Sequence, residues 1–374
     1  MKKILFIPTN SWAAWGGSEF LWAQMATIFH ENNYETGIYI KKWLSMPPEL
    51  ESLTKMIPTR SQPYVINDWH KGLLRLTGTE YPARAFRGLK NIRPDFAIIS
   101  QGVNLDGLIW MEACRDLGIP YVTISQSVQD FHWPEQDVVL HLREGYTGAR
   151  ANYFVSKANK LQTEKQIGHD VPRAEVIFNP FNVDYHEAPE YPEGDIMQLA
   201  CVARYDFYSK GQDILLETLS QRKWRERPLM VNFYGKGPNE FIMKELIRRW
   251  DLTGITSLKG HIPPAEIWKT NHALILPSRY EGLPLALVEA LISARTAVVT
   301  NVSGNGEVIR DGETGFLARA CTCEMLDEAM EKAWQVRDQW KQIGAAARSH
   351  VQTVVPENPA RYLFEKIKTD FLSA

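Results

Sequence analysis

Short apolar runs rich in β-branched residues recur along the chain at KILFI (3–7), TGIYI (36–40), DFAIIS (95–100), YVTI (121–124), NYFVS (152–156) and EVIF (175–178), separated by longer stretches of helical period. A Pro-rich and acid-rich passage, FNVDYHEAPEYPEGD (181–195), interrupts the rhythm and reads as a linker. It begins again at IMQLACVA (196–203), LMVNFYG (229–235), HALILP (272–277) and TAVVT (296–300). Such runs suit parallel strands covered by helices on both faces, so the fold class is α/β and the restart predicts two open, mostly parallel domains with a cleft between them. A length of 374 residues fits two domains of ordinary size. The expected division is an N-terminal domain over 1–185, a C-terminal domain over 186–355, and a last helix within 356–374 that packs back on the N-terminal domain.

Composition removes several function classes. Lys and Arg total 42 against 44 Asp and Glu, a net charge of -2, which provides no global field for holding nucleic acid. The 4 cysteines form no disulfide framework, and Cys321 and Cys323 stand too close for a zinc knuckle, which fits a reducing compartment. The start, MKKILFIPTNSW, runs from a short apolar stretch straight into Pro8 and reads as a first strand, not a secretory leader. No apolar stretch is long enough to span a bilayer, so a transmembrane segment is not expected. Tryptophan is plentiful, at 12 residues, with Trp12, Trp15, Trp22, Trp43, Trp69, Trp110 and Trp133 all in the N-terminal half.

In open parallel sheets, ligands bind beyond the carboxyl ends of strands and near helix starts. The loop PTNSWAAWGGSE (8–19) ends in Gly16 and Gly17, which let a ligand approach closely beside free helix N–H groups, or simply turn the chain while Ser18 or Glu19 caps the helix. The loop ARYDFYSKGQD (203–213) carries Arg204 and Lys210, a rigid fork and a mobile point charge suited to clamping a diphosphate, or a solvated surface. FYGKGP (233–238) brings Gly235 and Gly237 to a strand end, but lacks both the dinucleotide fingerprint and the P-loop ending. In LPSRYEGLPLALVEA (276–290), Glu281 sits at a loop edge, Gly282 and Leu283 approach a helix starting at Pro284, and Glu289 lies in its second turn. Glu281 there is a candidate to accept from a sugar hydroxyl and Glu289 to take two ribose hydroxyls, or both are solvent-facing helix acids.

With these loops in this order, the chain resembles the retaining glycosyltransferases of the GT-B fold, specifically family 4, which includes many bacterial cell-surface polysaccharide and glycolipid synthases. The resemblance runs nearly end to end and is firmest over 196–318, including the turn DGETGFLA (311–318). It implies two Rossmann-like α/β/α domains facing each other across a cleft. It also implies that Glu281 contacts the transferred sugar, Glu289 the ribose, and Arg204 and Lys210 the donor diphosphate. Gly235 and Gly237 then approach the nucleotide, and Gly16 and Gly17 face the donor phosphates and acceptor. Two positions depart from the family pattern. Many relatives have a histidine after the strand matching YVTI, where this chain has Ser125 and Gln126; Gln126 is the candidate for a neutral hydrogen bond there, with His132, Asp130 and Ser127 as alternatives. NVSGNGEVI (301–309) offers Gly304 and Gly306 where paired glycines are common.

The implied reaction is transfer with retention, by front-face attack of an acceptor hydroxyl as the nucleotide diphosphate leaves. It needs charge stabilisation on the phosphates more than a strong base. No Asp-x-Asp pair stands in a strand-end loop, and Arg204 and Lys210 offer the positive charge a metal would bring, so a nucleotide-sugar co-substrate and no metal or permanent cofactor are expected. The acceptor, a saccharide or lipid-linked glycan, falls to the N-terminal half. There Lys71, Arg75, Arg84, Arg87, Lys90 and Arg93 face the single acid Glu80, a patch suited to a phosphorylated lipid carrier or an anionic membrane surface, or to plain solvation. Trp12, Trp15 and Trp133 are expected to line a sugar groove, and Trp22 and Trp110 to lie in the core. The expected location is the cytoplasm, with peripheral contact at the inner membrane face as an option. Competing classes are a nucleotide-sugar epimerase or a phosphorylase of the same fold, and a non-catalytic binding subunit.

Overall fold

A computed structural model describes residues 1–10, 13–62 and 81–373, with side chains at 62 and 81–84 outside the description. The chain forms two compact units, Met1–Pro180 together with Asn358–Ala374, and Phe181–Glu357.

Among the described residues, the first unit holds seven parallel strands: β1 (Lys3–Pro8), β2 (Glu35–Lys41), β3 (Thr59–Gln62), β4 (Phe96–Gln101), β5 (Tyr121–Ser125), β6 (Ala151–Phe154) and β7 (Ala174–Val176), in the order β3-β2-β1-β4-β5-β6-β7. The period of two along β1 sorts its side chains: Ile4 and Phe6 enter one core with the helix Glu19–Glu31, Leu5 and Ile7 the other with Trp110 and Met111. Both faces are thereby buried, which is why these strands read as unbroken apolar runs. The helix Pro359–Ile367 buries Ala360, Leu363, Phe364 and Ile367, one helical face, in the first of these cores. Phe364 meets Phe29 edge to face at 4.7 Å, and Asn358 caps the helix by accepting from the Arg361 N–H at 2.9 Å.

The second unit holds β8 (Met197–Val202), β9 (Leu229–Tyr234), β10 (Thr256–Gly260), β11 (Ala273–Leu276), β12 (Thr296–Thr300) and β13 (Phe316–Ala318), six parallel strands in the order β10-β9-β8-β11-β12-β13. Three strands carry no apolar-run signal: β3, β10 and β13, each at the edge of its sheet, where polar residues or a three-residue length suffice.

The passage read as a linker is instead fastened to the second unit. Tyr185 donates to the carbonyls of Gln352 and Val355, both at 3.1 Å, and its own carbonyl accepts from Arg348 and Gln352. Arg295, 1% exposed, donates to the carbonyls of Pro189, Glu190, Trp268, Asn271 and Ser293. The guanidinium is held by these carbonyl dipoles and by the Tyr191 ring, 5.2 Å from it, and burial lowers its pKa to about 10.

Candidate active site

Strand order reverses direction between β8 and β11, so the loops leaving their carboxyl ends diverge around a crevice. Both loops carry predicted residues. After β8 come Arg204 and a one-turn helix, Phe207–Lys210; after β11 comes Glu281. The Lys210 ammonium lies 2.7 and 2.8 Å from the two carboxylate oxygens of Glu281, which is 7% exposed, and Ser278 donates to Glu281 Oε1 at 2.7 Å.

This meeting depends on close backbone approach. Gly211, at φ 63°, lies where a Cβ would stand 2.0 Å from the Pro277 carbonyl oxygen, so only glycine lets the two loops touch. Arg279 adds a fork onto Asp213, both contacts at 2.7 Å, and its N–H donates to the Ser209 carbonyl at 2.9 Å. On the far side, the Glu281 N–H donates to Ser303 Oγ at 3.3 Å and the Gly304 N–H to the Gly282 carbonyl at 2.9 Å. Leu283 is buried beside them.

Arg204 is half-exposed and ion-paired with Asp206, which also accepts from Ser209 Oγ at 2.9 Å. Gly235 and Gly237 serve packing, because their Cβ atoms would stand 2.2 Å from the Ala203 oxygen and 2.3 Å from the Tyr205 oxygen; the turn after β9 thus rests on the backbone that carries Arg204. Gly306 is similarly tight, against Asn301 Oδ1. Glu289, on the helix Leu285–Ile292, is 3% exposed; its Oε1 accepts from the Asn182 backbone at 3.0 Å and side chain at 3.4 Å. Burial pushes its pKa up to about 7, against the pull of the Asn182 hydrogen bonds.

In the first unit the corresponding reversal lies between β1 and β4. Gly16 accepts from the Glu19 N–H at 3.1 Å, and Gly17 is exposed. The expected cap is not formed: Ser18 makes no side-chain capping bond, and the Glu19 carboxylate accepts from Asn10 at 3.0 Å and Ser18 at 2.6 Å, fastening the loop after β1. Burial raises Glu19 to about 7.

After β5, Gln126 is buried and accepts from Asn179 at 2.7 Å, whereas Asp130 and His132 are exposed. The His132 carbonyl is held by Gln166 at 2.8 Å. Ser125 donates to Gln101 and Ser127 to the Gly102 carbonyl.

The tryptophans divide differently from expectation. Trp15 packs edge to face on Phe20 and Trp22 as an extension of the core, while Trp133 is exposed with the Lys165 ammonium 5.7 Å from its ring. Trp22 and Trp110 are buried. Trp12, Trp69, Lys71, Arg75 and Glu80 lie outside the described residues, as does the Arg84 side chain. Arg87, Lys90 and Arg93 are exposed at the end of the helix Tyr81–Ile92, whose Ala85 and Leu89 are buried.

Ser278, Ser303, Asp206, Asn182 and Arg279 were not singled out by the sequence. Ser278 and Arg279 offered a local signal as neighbours of Glu281, and Asp206 as a neighbour of Arg204; Ser303 and Asn182 act through contacts far along the chain. Among the described residues, no group of three or more His, Cys, Asp or Glu side chains is arranged to hold a metal ion, and no helix is long and apolar enough to cross a membrane. A cavity of about 920 Å³ opens at the opposite, amino-terminal end of the first sheet, beside Asp95, Pro120 and Phe371, and contains none of the predicted site residues.

Two parallel-sheet α/β units with their loops arranged this way define the GT-B fold. Residues 188–350, which make up most of the second unit, match the family described as glycosyl transferases group 1. An uncharacterized glycosyltransferase of Methanocaldococcus jannaschii is 28% identical over 44% of this chain and 44% of its own length. A glycogen synthase of Pseudomonas syringae pv. syringae is 27% identical over 65% of this chain and 52% of its own, so the chain spans about half the length of these relatives. Among solved structures, Anabaena HepE in complex with UDP-glucose is similar over 100% of both chains, with a TM-score of 0.76 at 16% identity.

Proposed function

We propose that the chain is a retaining glycosyltransferase of family 4, moving a sugar from a UDP- or GDP-sugar to a saccharide or lipid-linked glycan in bacterial surface-polysaccharide synthesis. The observation that carries this reading is the Lys210–Glu281 bridge at the β8/β11 reversal, inside a glycosyl transferases group 1 domain. The UDP-glucose complex of the similar HepE supports a nucleotide-sugar donor.

In the proposed reaction the acceptor hydroxyl forms a new bond to the anomeric carbon on the face that the diphosphate leaves. The departing phosphate oxygen takes the acceptor's proton. Lys210 turns from Glu281 toward the diphosphate and, with Arg204, stabilises its growing negative charge, which makes a metal unnecessary. Glu281, released from Lys210, accepts from a hydroxyl of the transferred sugar. Glu289 offers its second oxygen to the ribose, Oε1 being held by Asn182. The exposed Arg87, Lys90 and Arg93 meet an anionic lipid surface at the cytoplasmic face of the membrane.

Incubation with UDP-, GDP-, ADP- and dTDP-sugars, with membrane lipid extract as acceptor and a chelator present, tests the reading. Release of nucleoside diphosphate from one of them is expected. No release from any donor overturns the transferase reading, and release abolished only by the chelator overturns metal independence.

A further inference from the structure

The cavity of about 920 Å³ at the amino-terminal end of the first sheet draws its walls from five strands that are neighbours in that sheet. Lys2 precedes β1, Phe96 opens β4, Pro120 precedes β5, Arg150 precedes β6 and Arg173 precedes β7, and all five residues line the opening. Phe371 and Leu372, which follow the helix Pro359–Ile367, line it as well, with the Phe371 ring stacked on Phe96 at 5.9 Å. One part of the wall is therefore apolar and the rest is charged.

The charges are unevenly compensated. Lys2, Arg150 and Arg173 have no carboxylate within ion-pair distance among the described residues. Lys2 Nζ donates to the Leu372 carbonyl at 3.0 Å. Arg173 Nε and Nη2 donate to the Ala149 carbonyl at 3.1 and 2.7 Å, and Nη2 also to the Thr147 carbonyl, which locks the guanidinium and leaves Nη1 open. Arg150, which is exposed, has no side-chain partner among the described residues. The two acids of the wall are already engaged: Asp95 accepts from the Lys3 N–H at 2.6 Å, and Asp370 lies 3.4 Å from the Lys366 ammonium. Arg173 has a φ of 49°, in the left-handed region that a residue other than glycine adopts only at a cost, and such costs concentrate at functional sites.

We infer that this cavity binds a phosphomonoester carried on an apolar body, with Lys2, Arg150 and Arg173 on the phosphate and Phe96, Pro120, Phe371 and Leu372 against the body. A phosphomonoester brings a charge of about −1.5 to −2 at pH 7 and three acceptor oxygens, enough to answer three uncompensated cations, and the guanidinium fork matches it. A bare inorganic ion would leave the apolar wall unused. The cavity lies at the opposite end of the strands from the candidate active site, about 20 Å away along a six-residue strand such as β4, so its ligand is not the reacting one. The inference stands on the first unit alone and does not depend on the transferase reading. The same chemistry has two sources, a soluble phosphate ester or a phosphatidic acid headgroup in a bilayer, and the two are separable.

The test uses the full chain, with phenyl phosphate and inorganic phosphate in calorimetry and phosphatidylcholine vesicles with and without phosphatidic acid in flotation. Arg150→Ala should weaken binding ~10-fold or more, and Arg150→Lys should recover part of it. Arg150 has no partner to lose, so Arg150→Ala should melt at the wild-type temperature. Lys210→Ala, in the other unit, should leave binding unchanged. Binding of phenyl phosphate, tighter than that of inorganic phosphate, shows that a soluble ester suffices, and binding only of vesicles that contain phosphatidic acid assigns a bilayer headgroup; both support the inference. Binding of neither probe, equal binding by Arg150→Ala, phenyl phosphate held no more tightly than inorganic phosphate, or a lower melting temperature in Arg150→Ala overturns it. Binding lost in Lys210→Ala but kept in Arg150→Ala also overturns it, because the phosphate would then sit in the second unit.

Discussion

Lys210 serves two partners in the proposed cycle, the Glu281 carboxylate and the donor diphosphate, and its removal is felt by both. Lys210→Ala leaves Glu281 buried without its counter-ion and takes a cation from the developing phosphate charge. Turnover should fall by roughly two orders of magnitude or more, with the circular dichroism spectrum unchanged. Near-wild-type turnover would show that the donor diphosphate lies elsewhere. Glu289 makes a prediction about pH. Its pKa is raised from the ordinary 4.5 to about 7 by burial, so between those values the folded chain keeps a proton that the unfolded chain has released. Stability from this group is therefore full below pH 4.5 and is lost as pH rises through 7, by about 3 kcal/mol in all. Glu19 adds a loss of the same sign. Glu289→Gln is neutral at every pH, so the difference in urea-unfolding free energy between pH 5 and pH 8 should shrink markedly; an unchanged difference refutes the buried, protonated carboxyl.

At the scale of elements, the second-unit site is a matter of loops pressed together, and glycine is what permits it. Gly211→Ala introduces a Cβ into the Pro277 carbonyl at a positive φ, which should cost ~1–3 kcal/mol and push Glu281 away from Lys210. Gly254→Ala, with open space around its Cβ and no positive φ, is the matched control and should leave both melting temperature and turnover unchanged. Equal behaviour of the two variants would mean that the loops separate freely. The same contrast marks how much was legible beforehand. Central strands such as FAIISQ and TAVVT announce themselves because both of their faces are buried, whereas TRSQ and TSLKG sit at sheet edges and carry no such pattern. Glu281 and Lys210 were readable as residue types in strand-end loops, but their contact spans 71 positions and is set by backbone packing that a linear pattern does not encode. Gly235 and Gly237 were recognisable as positions but not for what they do locally, which is to seat one turn on another. Arg295 gave no signal at all, because the carbonyls that hold it come from distant loops and, at Pro189 and Glu190, from the passage that read as a free linker.

Over the whole molecule, the chain divides at Pro180/Phe181 and again at Glu357/Asn358, so the first unit is assembled from both sides of the second. Its stability accordingly rests on the helix Pro359–Ile367, far along the chain from its last strand, Ala174–Val176. Phe364→Ala removes the ring packed on Phe29 and should destabilise the first unit by about 3–5 kcal/mol, visible as an earlier urea transition. Detachment of that helix from the sheet would also expose Ile4, Phe6 and Leu21, so dye binding to apolar surface should rise with it. An unshifted transition would mean that the helix is ornamental to the fold.

That arrangement has a consequence for biosynthesis. A ribosome adding roughly 5–20 residues per second completes β7 and then needs on the order of ten to thirty-five seconds to deliver Pro359–Ile367. Through that interval one face of the nascent first sheet has the helix Glu19–Glu31 but lacks Pro359–Ile367, while the continuous stretch Phe181–Glu357 emerges with every strand of its own sheet. The later-made unit therefore has its whole sheet before the earlier-made one receives the helix Pro359–Ile367. A message truncated after codon 357 should yield a polypeptide that leaves part of the first core exposed and aggregates more readily than the full chain.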